Sequence, residues 1–274
     1  MIIDQREPIR RLPMSSEPAA AQLAASAALL KGIEELGRPA MRWYSISPTT
    51  VLLGSSQRPH ELDLTACSLA NIAIHRRGSG GGVVLAGEDL LLLDLAIPRE
   101  HRLYIADVTR SYSWLGDIWA ATLRRLGLDS RVIPVEEARA DVRALDPLLK
   151  RVCFGGLSPY EIVVAGRKVV GLAQIRRRGG ALLQAGVYRH WRPQQTAAVI
   201  AAEEHERDVL AERLAARVAG LDDLLDYAPS ATIVMKTFES ALEELVGLTP
   251  VEDGWSEAEL AAREGALALY PQLE

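Results

Sequence analysis

A short stretch of the sequence, RRGSGGGVV from Arg76 to Val84, contains four glycines within five consecutive positions. Because glycine carries no Cβ, main-chain amides in such a segment can come close to a ligand. Consecutive exposed N–H groups bind anions, and Arg76 and Arg77 can add bidentate contacts to a phosphate or a carboxylate. A glycine-rich hairpin whose arginines face solvent would have the same composition. No Gly-Lys-Ser/Thr ends the stretch and a strand is expected after it, which excludes a P-loop and a dinucleotide fingerprint.

The segments around this stretch have the composition of strands. Asn71 to Arg76 leads into it, and Val83 to Leu85 and the almost wholly apolar Asp89 to Ile97 follow it, so the last is expected at the centre of a sheet. Three later segments separated by turns predict an antiparallel meander: Pro159 to Val164, Lys168 to Arg176 and Ala181 to Tyr188. We expect all these strands to form one mixed sheet, with the glycine stretch facing Lys168.

Most of the remaining chain has the pattern of helices. The segments are Ala19 to Leu36, Thr109 to Leu126, Ala197 to Ala219 with several interruptions, Ser230 to Val246 and Ser256 to Leu269. The segment Glu136 to Lys150 is charged and has no clear period, which indicates a surface loop or a mobile lid. Strand clusters flanked by helices, without regular β-α-β alternation, predict an α+β fold with a mixed sheet. We expect residues 1–190 to form the core of the domain and residues 191–274 a mainly helical part packed on it.

The overall composition limits the classes of protein to be considered. The chain has 274 residues, of which 49% are hydrophobic and 24% charged, enough to bury a sizeable core. Its formal net charge of -5 gives no bulk attraction to nucleic acid or to an anionic membrane. No apolar run approaches the length of a membrane span, and Met1 to Pro13 lacks the apolar core of a signal peptide. We therefore expect a soluble, cytoplasmic protein with neither nucleic-acid nor membrane partners.

The two cysteines, Cys67 and Cys153, are too few for a disulfide framework, and no Cys-x-x-Cys or Cys/His pairing indicates a metal site. Cys153 could hold an acyl group as a thioester if a nearby positive charge favoured its thiolate. Lys168, which lies among apolar neighbours, could supply that charge or polarise an acyl carbonyl. From the spacing alone, a packed cysteine and a turn lysine remain the more ordinary interpretation.

Two glutamines occupy corresponding places on neighbouring predicted strands. Gln174 ends the run GLAQ, and Gln184 begins the run QAG. Their amides could line a pocket or lie on the surface of the sheet, and the spacing does not distinguish the two.

The glycine stretch and the Lys168 segment together resemble the lipoate–protein ligase and octanoyltransferase superfamily, whose catalytic domain shares its fold with biotin–protein ligases. RRGSGGGVV is similar to the family's Arg-Arg-x-Ser-Gly-Gly-Gly-x-Val strand and loop. GRKVVGLAQ, from Gly166 to Gln174, is similar to its Gly-x-Lys-hydrophobic-x-Gly-x-Ala-Gln element, whose lysine contacts the acyl carbonyl or acyl phosphate. The likeness runs from about Pro18 to Tyr188. It implies a biotin/lipoate protein ligase-like fold in which residues 1–190 hold the acyl-binding catalytic core.

Cys153, fifteen positions ahead of Lys168, is similar to the cysteine of the octanoyltransferases in the ligase-like branch. The resemblance then implies that Cys153 takes an octanoyl group from acyl carrier protein without a cofactor. It would pass the group to the lysine of a lipoyl carrier domain or a glycine-cleavage H-type protein. The full Ser-Gly-Gly-Gly is more typical of ATP-dependent lipoate ligases, which would need ATP and magnesium. Ala86 and Ala185 stand where relatives often carry histidine, which leaves open a non-catalytic lipoyl-binding or carrier-docking protein.

The resemblance also implies a set of site residues. Cys153 and Lys168 would be catalytic, and no residue would bind a metal. The acyl group or a phosphate would be bound by residues of the motifs: Arg76, Arg77, Ser79, Gly80, Gly81, Gly82, Val83, Gly171, Ala173, Gln174 and Gly186. Small acidic carriers could meet a set of arginines, which could equally be a solvated rim: Arg151, Arg176, Arg177 and Arg178.

Overall fold

The computed structural model describes residues 6–273. Its strands are β1 Glu7–Glu17, β2 Ala40–Ile46, β3 Thr50–Leu53, β4 Ala73–Arg76, β5 Val84–Ala86, β6 Leu90–Pro98, β7 Ser130–Val132, β8 Ile162–Val164, β9 Arg167–Arg177, β10 Gly180–Tyr188 and β11 Leu248–Glu252. Its α-helices are α1 Ala19–Leu36, α2 Leu64–Leu69, α3 Ser113–Arg125, α4 Val135–Ala144, α5 Pro147–Arg151, α6 Pro193–Ala198, α7 Glu204–Arg217, α8 Ala231–Val246 and α9 Glu257–Ala266.

Eight of these strands form a mixed sheet in the order β11-β1-β2-β6-β10-β9-β8-β7, and the order β4-β3-β5 makes a smaller sheet. The apolar strand β6 lies between β2 and β10, antiparallel to both, as its composition predicted. Toward the edge of the sheet that β11 forms, β1 is parallel to both of its neighbours, β2 and β11. Helices flank the sheets, so the predicted α+β fold is confirmed.

The prediction of a single sheet is wrong, because the chain leaves the main sheet after β2. Residues 47–49 turn it into β3, which pairs with β4 in parallel and with β5 in antiparallel orientation. The glycine stretch joins β4 to β5 and so belongs to the smaller sheet, whereas Lys168 lies on β9 of the main sheet. The two motifs therefore lie on different sheets, not on adjacent strands of one.

The two faces of the main sheet differ, because successive residues of a strand point in opposite directions. On one face, Trp43 of β2 packs edge-on against Phe238 of α8, with the ring centroids 5.3 Å apart. Trp119 of α3 packs against the same phenylalanine at 4.9 Å and completes this aromatic cluster. Arg42 and Tyr44 alternate with Trp43 along β2 and so belong to the opposite face, where α1 and the smaller sheet lie.

The charged segment from residue 136 to residue 150 is helical, so the prediction of a loop or lid is wrong. Helix α4 has Glu136 and Glu137 in its first turn and Arg143 in its last, which complements the helix dipole. Helix α5 begins with Pro147 after Asp146, whose side chain accepts a hydrogen bond from the N–H of Leu148 at 2.8 Å. Capping and charge placement thus supply the helix signal that the apolar pattern lacks.

Candidate active site

A cavity of about 690 Å³, measured with the solvent at its open side, lies between the main sheet and the smaller sheet. Six of the residues predicted from the sequence line the cavity: Arg77, Ser79, Cys153, Gly171, Ala173 and Gly186. The structure thus brings the glycine stretch, the cysteine and the β9–β10 hairpin to one place.

The floor of the cavity is made by facing glycines of β9 and β10. Gly171 lies directly opposite Gly186 in the antiparallel pair. A Cβ on Gly171 would come within 3.0 Å of Cζ of Phe154, and one on Gly186 within 3.2 Å of Cδ2 of Leu92. The absence of side chains at both positions lets Phe154 lie close over the floor and keeps the space beside it open.

Cys153 begins a short 3-10 turn, Cys153–Gly155, that follows α5. Its main-chain N–H donates to the carbonyl oxygen of Val83 at 2.9 Å, which joins this turn to the end of the glycine stretch. Its Sγ lies in the cavity wall, 3.7 Å from Nη2 of Arg77. Gly81 has a φ of +100°, and a Cβ on it would come within 3.2 Å of the sulfur. Position 81 therefore requires glycine for two reasons: its backbone has a positive φ, and a side chain there would crowd the sulfur.

Arg77 folds the glycine stretch around its own guanidinium group. Its Nη2 donates to the carbonyl oxygens of Gly80 (2.8 Å) and Gly82 (2.9 Å), and its Nη1 donates to that of Leu52 at 3.1 Å. The side chain is buried, so its charge is poorly screened at the nearby sulfur. Arg76, by contrast, does not line the cavity, and its Nη1 donates to the carbonyl oxygen of Gly54 at 3.1 Å.

Lys168 is only 1% exposed, and its ammonium group is fully used inside the protein. Nζ lies 2.7 Å from Oε2 of Glu161 and donates to the carbonyl oxygens of Cys153 (3.1 Å) and Gly156 (3.0 Å). An ammonium group has three protons, so these contacts occupy all of them. Lys168 thereby fixes the main chain of the Cys153 turn from below.

Glu161 is the buried counter-ion of this lysine. Its carboxylate also accepts hydrogen bonds from the N–H groups of Leu172 (3.1 Å) and Ser158 (2.7 Å). Burial raises the pKa of the Glu161 carboxyl, while Lys168 and the two amides act in the opposite direction. The pair connects β9 to the segment that carries Cys153.

Residues 18–243 match the lipoyl protein ligase A/B catalytic domain. The chain belongs to this family. Among the relatives, an octanoyltransferase LipM from Moorella thermoacetica is 30% identical over 93% of this chain and 92% of its own length. A second octanoyltransferase LipM, from an Exiguobacterium species, is 28% identical over 77% of this chain and 76% of its own length.

Solved structures agree in fold with this ligase family. A bipartite lipoate protein ligase from Thermoplasma acidophilum has a TM-score of 0.79 at 22% identity, covering 96% of this chain and 93% of that one. A lipoate-protein ligase A bound with ATP has a TM-score of 0.76, also at 22% identity, covering 96% and 95% of the two chains. The biotin/lipoate ligase-like fold implied by the sequence motifs is therefore confirmed.

Gln174, a residue predicted from the family's motif, does not line the cavity. On the antiparallel pair Gln184 lies opposite Ala173, whereas Gln174 lies opposite Leu183. This offset of one residue puts the two glutamines on opposite faces of the sheet. The Gln174 amide instead donates to the carbonyl oxygen of Val108 at 2.8 Å and holds the loop before α3.

A buried polar network beside the cavity was missed in the sequence-based prediction of the site. Asp94 of β6 is fully buried and lies 2.8 Å from Nη2 of Arg42, and it accepts hydrogen bonds from Ser26 Oγ (2.7 Å) and Gln184 Nε2 (2.8 Å). Ser26, Gln184 and the adjacent Tyr44 line the cavity. The available signal was Asp94 itself, because a single carboxylate in an apolar strand needs buried partners.

Ala86 and Ala185, which stand where relatives of the family often carry histidine, are both buried. Ala86 lies opposite Thr50 in the smaller sheet and is outside the cavity lining. Ala185 contributes to the lining of the cavity, and it also packs in the core on the other face of the main sheet.

The four arginines predicted to meet carrier proteins differ in whether their guanidinium groups are bound within the protein or exposed to solvent. Arg176 Nη2 donates to the carbonyl oxygen of Ile105 at 2.7 Å, and Arg151 Nη1 donates to that of Ala201 at 2.6 Å. Arg177 and Arg178 are exposed at the β9–β10 turn. Only these last two keep most of their charge at the surface.

Within residues 6–273, no group of three or more His, Cys, Asp or Glu side chains is arranged to hold a metal ion. None of the helices in the same part of the chain is long and apolar enough to cross a membrane.

Proposed function

We propose that this protein transfers an octanoyl group in protein lipoylation and that Cys153 carries the group as a thioester. The observation that carries the proposal is the position of Sγ, in the wall of a largely apolar cavity and 3.7 Å from the guanidinium of Arg77. A nearby cation favours the thiolate, which is the nucleophilic form of cysteine. The octanoyltransferase names of the bacterial relatives support the same activity.

In the first step, the Cys153 thiolate attacks the carbonyl carbon of an octanoyl thioester on acyl carrier protein. The new C–S bond forms a tetrahedral oxyanion, and its collapse breaks the bond to the carrier's sulfur, which leaves as a thiolate and takes a proton from water. No described residue accepts a hydrogen bond from the N–H groups of Gly80, Gly81 or Gly82. These amides, beside Sγ, are the donors that we assign to the oxyanion.

In the second step, the amine of a target lysine attacks the Cys153 thioester. An amide bond forms, the C–S bond breaks, the amine loses a proton to water, and the Cys153 thiolate is restored. The acceptor is a lipoyl carrier domain or a glycine-cleavage H-type protein, approached through the exposed charges of Arg177 and Arg178. Neither step needs a cofactor, and two unpaired cysteines suit a cytoplasmic protein.

Lys168 has a different part in this scheme from a direct contact with the acyl carbonyl. Its three protons are used by Glu161 and by the carbonyl oxygens of Cys153 and Gly156. It therefore acts on the reaction by holding the turn that presents Sγ to the cavity.

The residues fit the binding of ATP and magnesium poorly. Glu161 is buried and spends both carboxylate oxygens on Lys168 and two main-chain amides, so it has no free oxygen for a metal ion. Arg77, which would hold a phosphate in a ligase, donates instead to three carbonyl oxygens of the protein.

Intact-mass measurement of the protein and a lipoyl domain tests the proposal. With octanoyl-carrier protein alone, we expect the enzyme to gain one octanoyl group that hydroxylamine removes, followed by one octanoyl group on the lipoyl domain. Modification of the lipoyl domain only with lipoate and ATP–magnesium would establish a ligase instead. Binding of the lipoyl domain without modification under either condition would establish a non-catalytic docking protein.

A further inference from the structure

The last described segment of the chain, residues 267–273, contributes one wall of the cavity between the two sheets. We call this segment the strap. It follows α9 and carries Tyr270, whose side chain lines the cavity together with residues of both sheets. The strap lies outside residues 18–243, the part of the chain that matches the family model.

One end of the strap is fixed to the main sheet through α9. Glu259 of this helix is buried and accepts two hydrogen bonds from Arg10 of β1, Nη1 to Oε1 at 2.8 Å and Nη2 to Oε2 at 2.9 Å. A Cβ on Gly32 of α1 would come within 2.2 Å of Oε1 of Glu259. This glycine in the last third of α1 thus gives Glu259 the space to reach Arg10 and lets α9 pack closely against α1.

The other end of the strap is fixed to the smaller sheet. The N–H of Leu273 donates to the carbonyl oxygen of Ile74 at 2.8 Å, and Nδ1 of His75 donates to that of Tyr270 at 3.0 Å. Both partners lie on β4, the strand that leads into the glycine stretch. The strap therefore crosses from one sheet to the other over the cavity between them.

We place Tyr270, a lining residue of the cavity, toward the end where β9 finishes, because Arg177, the last residue of β9, is one of the charged groups that act on its hydroxyl. Burial raises the pKa of its hydroxyl, and the charged groups that act on it are Arg177 and Asp94. Ile175, which also lines the cavity, is four residues beyond Gly171 on β9, a separation of about 13 Å along the strand. At that end a Cβ on Gly78 would come within 3.0 Å of Cδ1 of Ile175, so the space there is narrow.

We infer that Tyr270 sets the length of acyl chain that the enzyme accepts. An acyl chain held on Cys153 over the glycine floor extends along β9, and its methyl end meets the wall that Tyr270 and Ile175 form. A longer chain collides with the tyrosine ring, and a shorter one leaves the space beside it empty. This inference rests on the proposed transferase function.

Two substitutions of opposite size test the inference, with transfer from hexanoyl-, octanoyl- and dodecanoyl-carrier proteins measured by intact mass. We expect Tyr270→Ala to raise the ratio of kcat/KM for dodecanoyl over octanoyl by at least about tenfold, because pocket contacts distinguish chains by such factors. Tyr270→Trp should shift preference toward hexanoyl. Leu269→Ala is the matched control, since Leu269 is on the same strap and 72% exposed, and it should keep the wild-type ratios.

Chain-length ratios that stay at wild-type values in both Tyr270 variants, while octanoyl is still transferred, would overturn the inference and leave the transferase function standing. Wild-type protein that transfers no acyl chain from any carrier would instead overturn the proposed function. Should Tyr270→Ala not fold, Tyr270→Trp alone decides, because a preserved preference for octanoyl in that variant contradicts a wall at this position.

Discussion

The two cysteines of this protein lie in opposite surroundings although both pack against the same hydrophobic cluster. Cys67 is on α2, 1% exposed, and burial raises the pKa of its thiol, with Asp63 adding to the effect. Cys153 is partly exposed at the cavity, with the guanidinium of Arg77 3.7 Å from its sulfur. Access and the nearest charge, rather than residue type, therefore separate a structural thiol from a candidate nucleophile.

The largest difference between the two thiols is expected in catalysis. Replacing Cys153 by serine removes the atom that holds the acyl group, so Cys153→Ser should lower transfer by at least about a thousandfold, as loss of a nucleophile does. Cys67→Ser should retain both the acyl-enzyme and transfer. Intact mass after incubation with octanoyl-carrier protein measures both. Full transfer by Cys153→Ser would show that this cysteine only packs.

A second large effect is expected beneath Cys153. Lys168→Ala leaves Glu161 buried without its counter-ion and releases the carbonyl oxygens of Cys153 and Gly156. We expect transfer to fall by about a hundredfold or more, because removing one partner of a buried ion pair is strongly destabilising and the turn that presents Sγ loses its support. Lys150→Ala is the control, because Lys150 is also a lysine and lies close to Cys153 in sequence, but its side chain is exposed. Near-normal turnover of Lys168→Ala, with circular dichroism unchanged, would remove Lys168 from the site.

The charge beside the sulfur should have a moderate effect on its reactivity. Arg77→Gln should slow alkylation of Cys153 by iodoacetamide about tenfold, because it removes the cation that lies 3.7 Å from the reacting sulfur. Arg76→Gln should leave the rate unchanged, since Arg76 holds the carbonyl oxygen of Gly54 and lies outside the cavity. Equal rates in the two variants would show that Arg77 does not activate the thiol. Peptide mass mapping identifies which cysteine has reacted.

The smallest effect is expected at Cys67. Cys67→Ala should leave transfer unchanged and lower the free energy of unfolding by about 1 kcal/mol, typical of a small core substitution. Folding raises the pKa of this thiol. The stabilisation that the protonated thiol gives the folded state is therefore fully present below the ordinary pKa of a thiol, and it is lost as the pH rises above that value. The stability difference between wild type and Cys67→Ala, measured by denaturant titration, should therefore shrink at alkaline pH. A difference that grows with pH would contradict the burial of this thiol.

Local signals in the sequence predicted much of the fold. Helix α1 ends where Gly37 adopts the left-handed conformation, and α8 begins after the capping residue Ser230, both as expected from the residue types. The hairpin of β9 and β10 was also predicted, from the glycines of the turn that joins the two strands. The strands β1 and β11 were missed, because their sequences are polar and lack a clear strand pattern. In the fold β1 pairs with β2, and β11 pairs with β1 across the length of the chain.

The sequence predicted the site residues that belong to a family motif. It did not predict which of them line the cavity, because that depends on the direction in which each side chain leaves its strand. Arg77, Ser79 and Cys153 line the cavity, while the neighbouring Arg76 does not, because adjacent residues leave a strand in opposite directions. The polar network around Asp94 depends on side chains from three separate elements. Tyr270 lies far from every motif in the sequence, so only the folded chain shows that it belongs to the cavity.

The pairing of β1 with β11 has a consequence for how the protein is made. Arg11 and Glu252, partners in this pair, are 241 residues apart in the chain. A ribosome adds residues one after another, so β1 emerges early and keeps an unpaired edge until nearly the whole chain has been synthesised. An open edge of this kind can pair with another nascent chain. Chains halted after Val246 should therefore self-associate during translation, which sedimentation of the stalled ribosome complexes would reveal. Once β11 has emerged from the ribosome, it covers the edge of β1, and this self-association should stop.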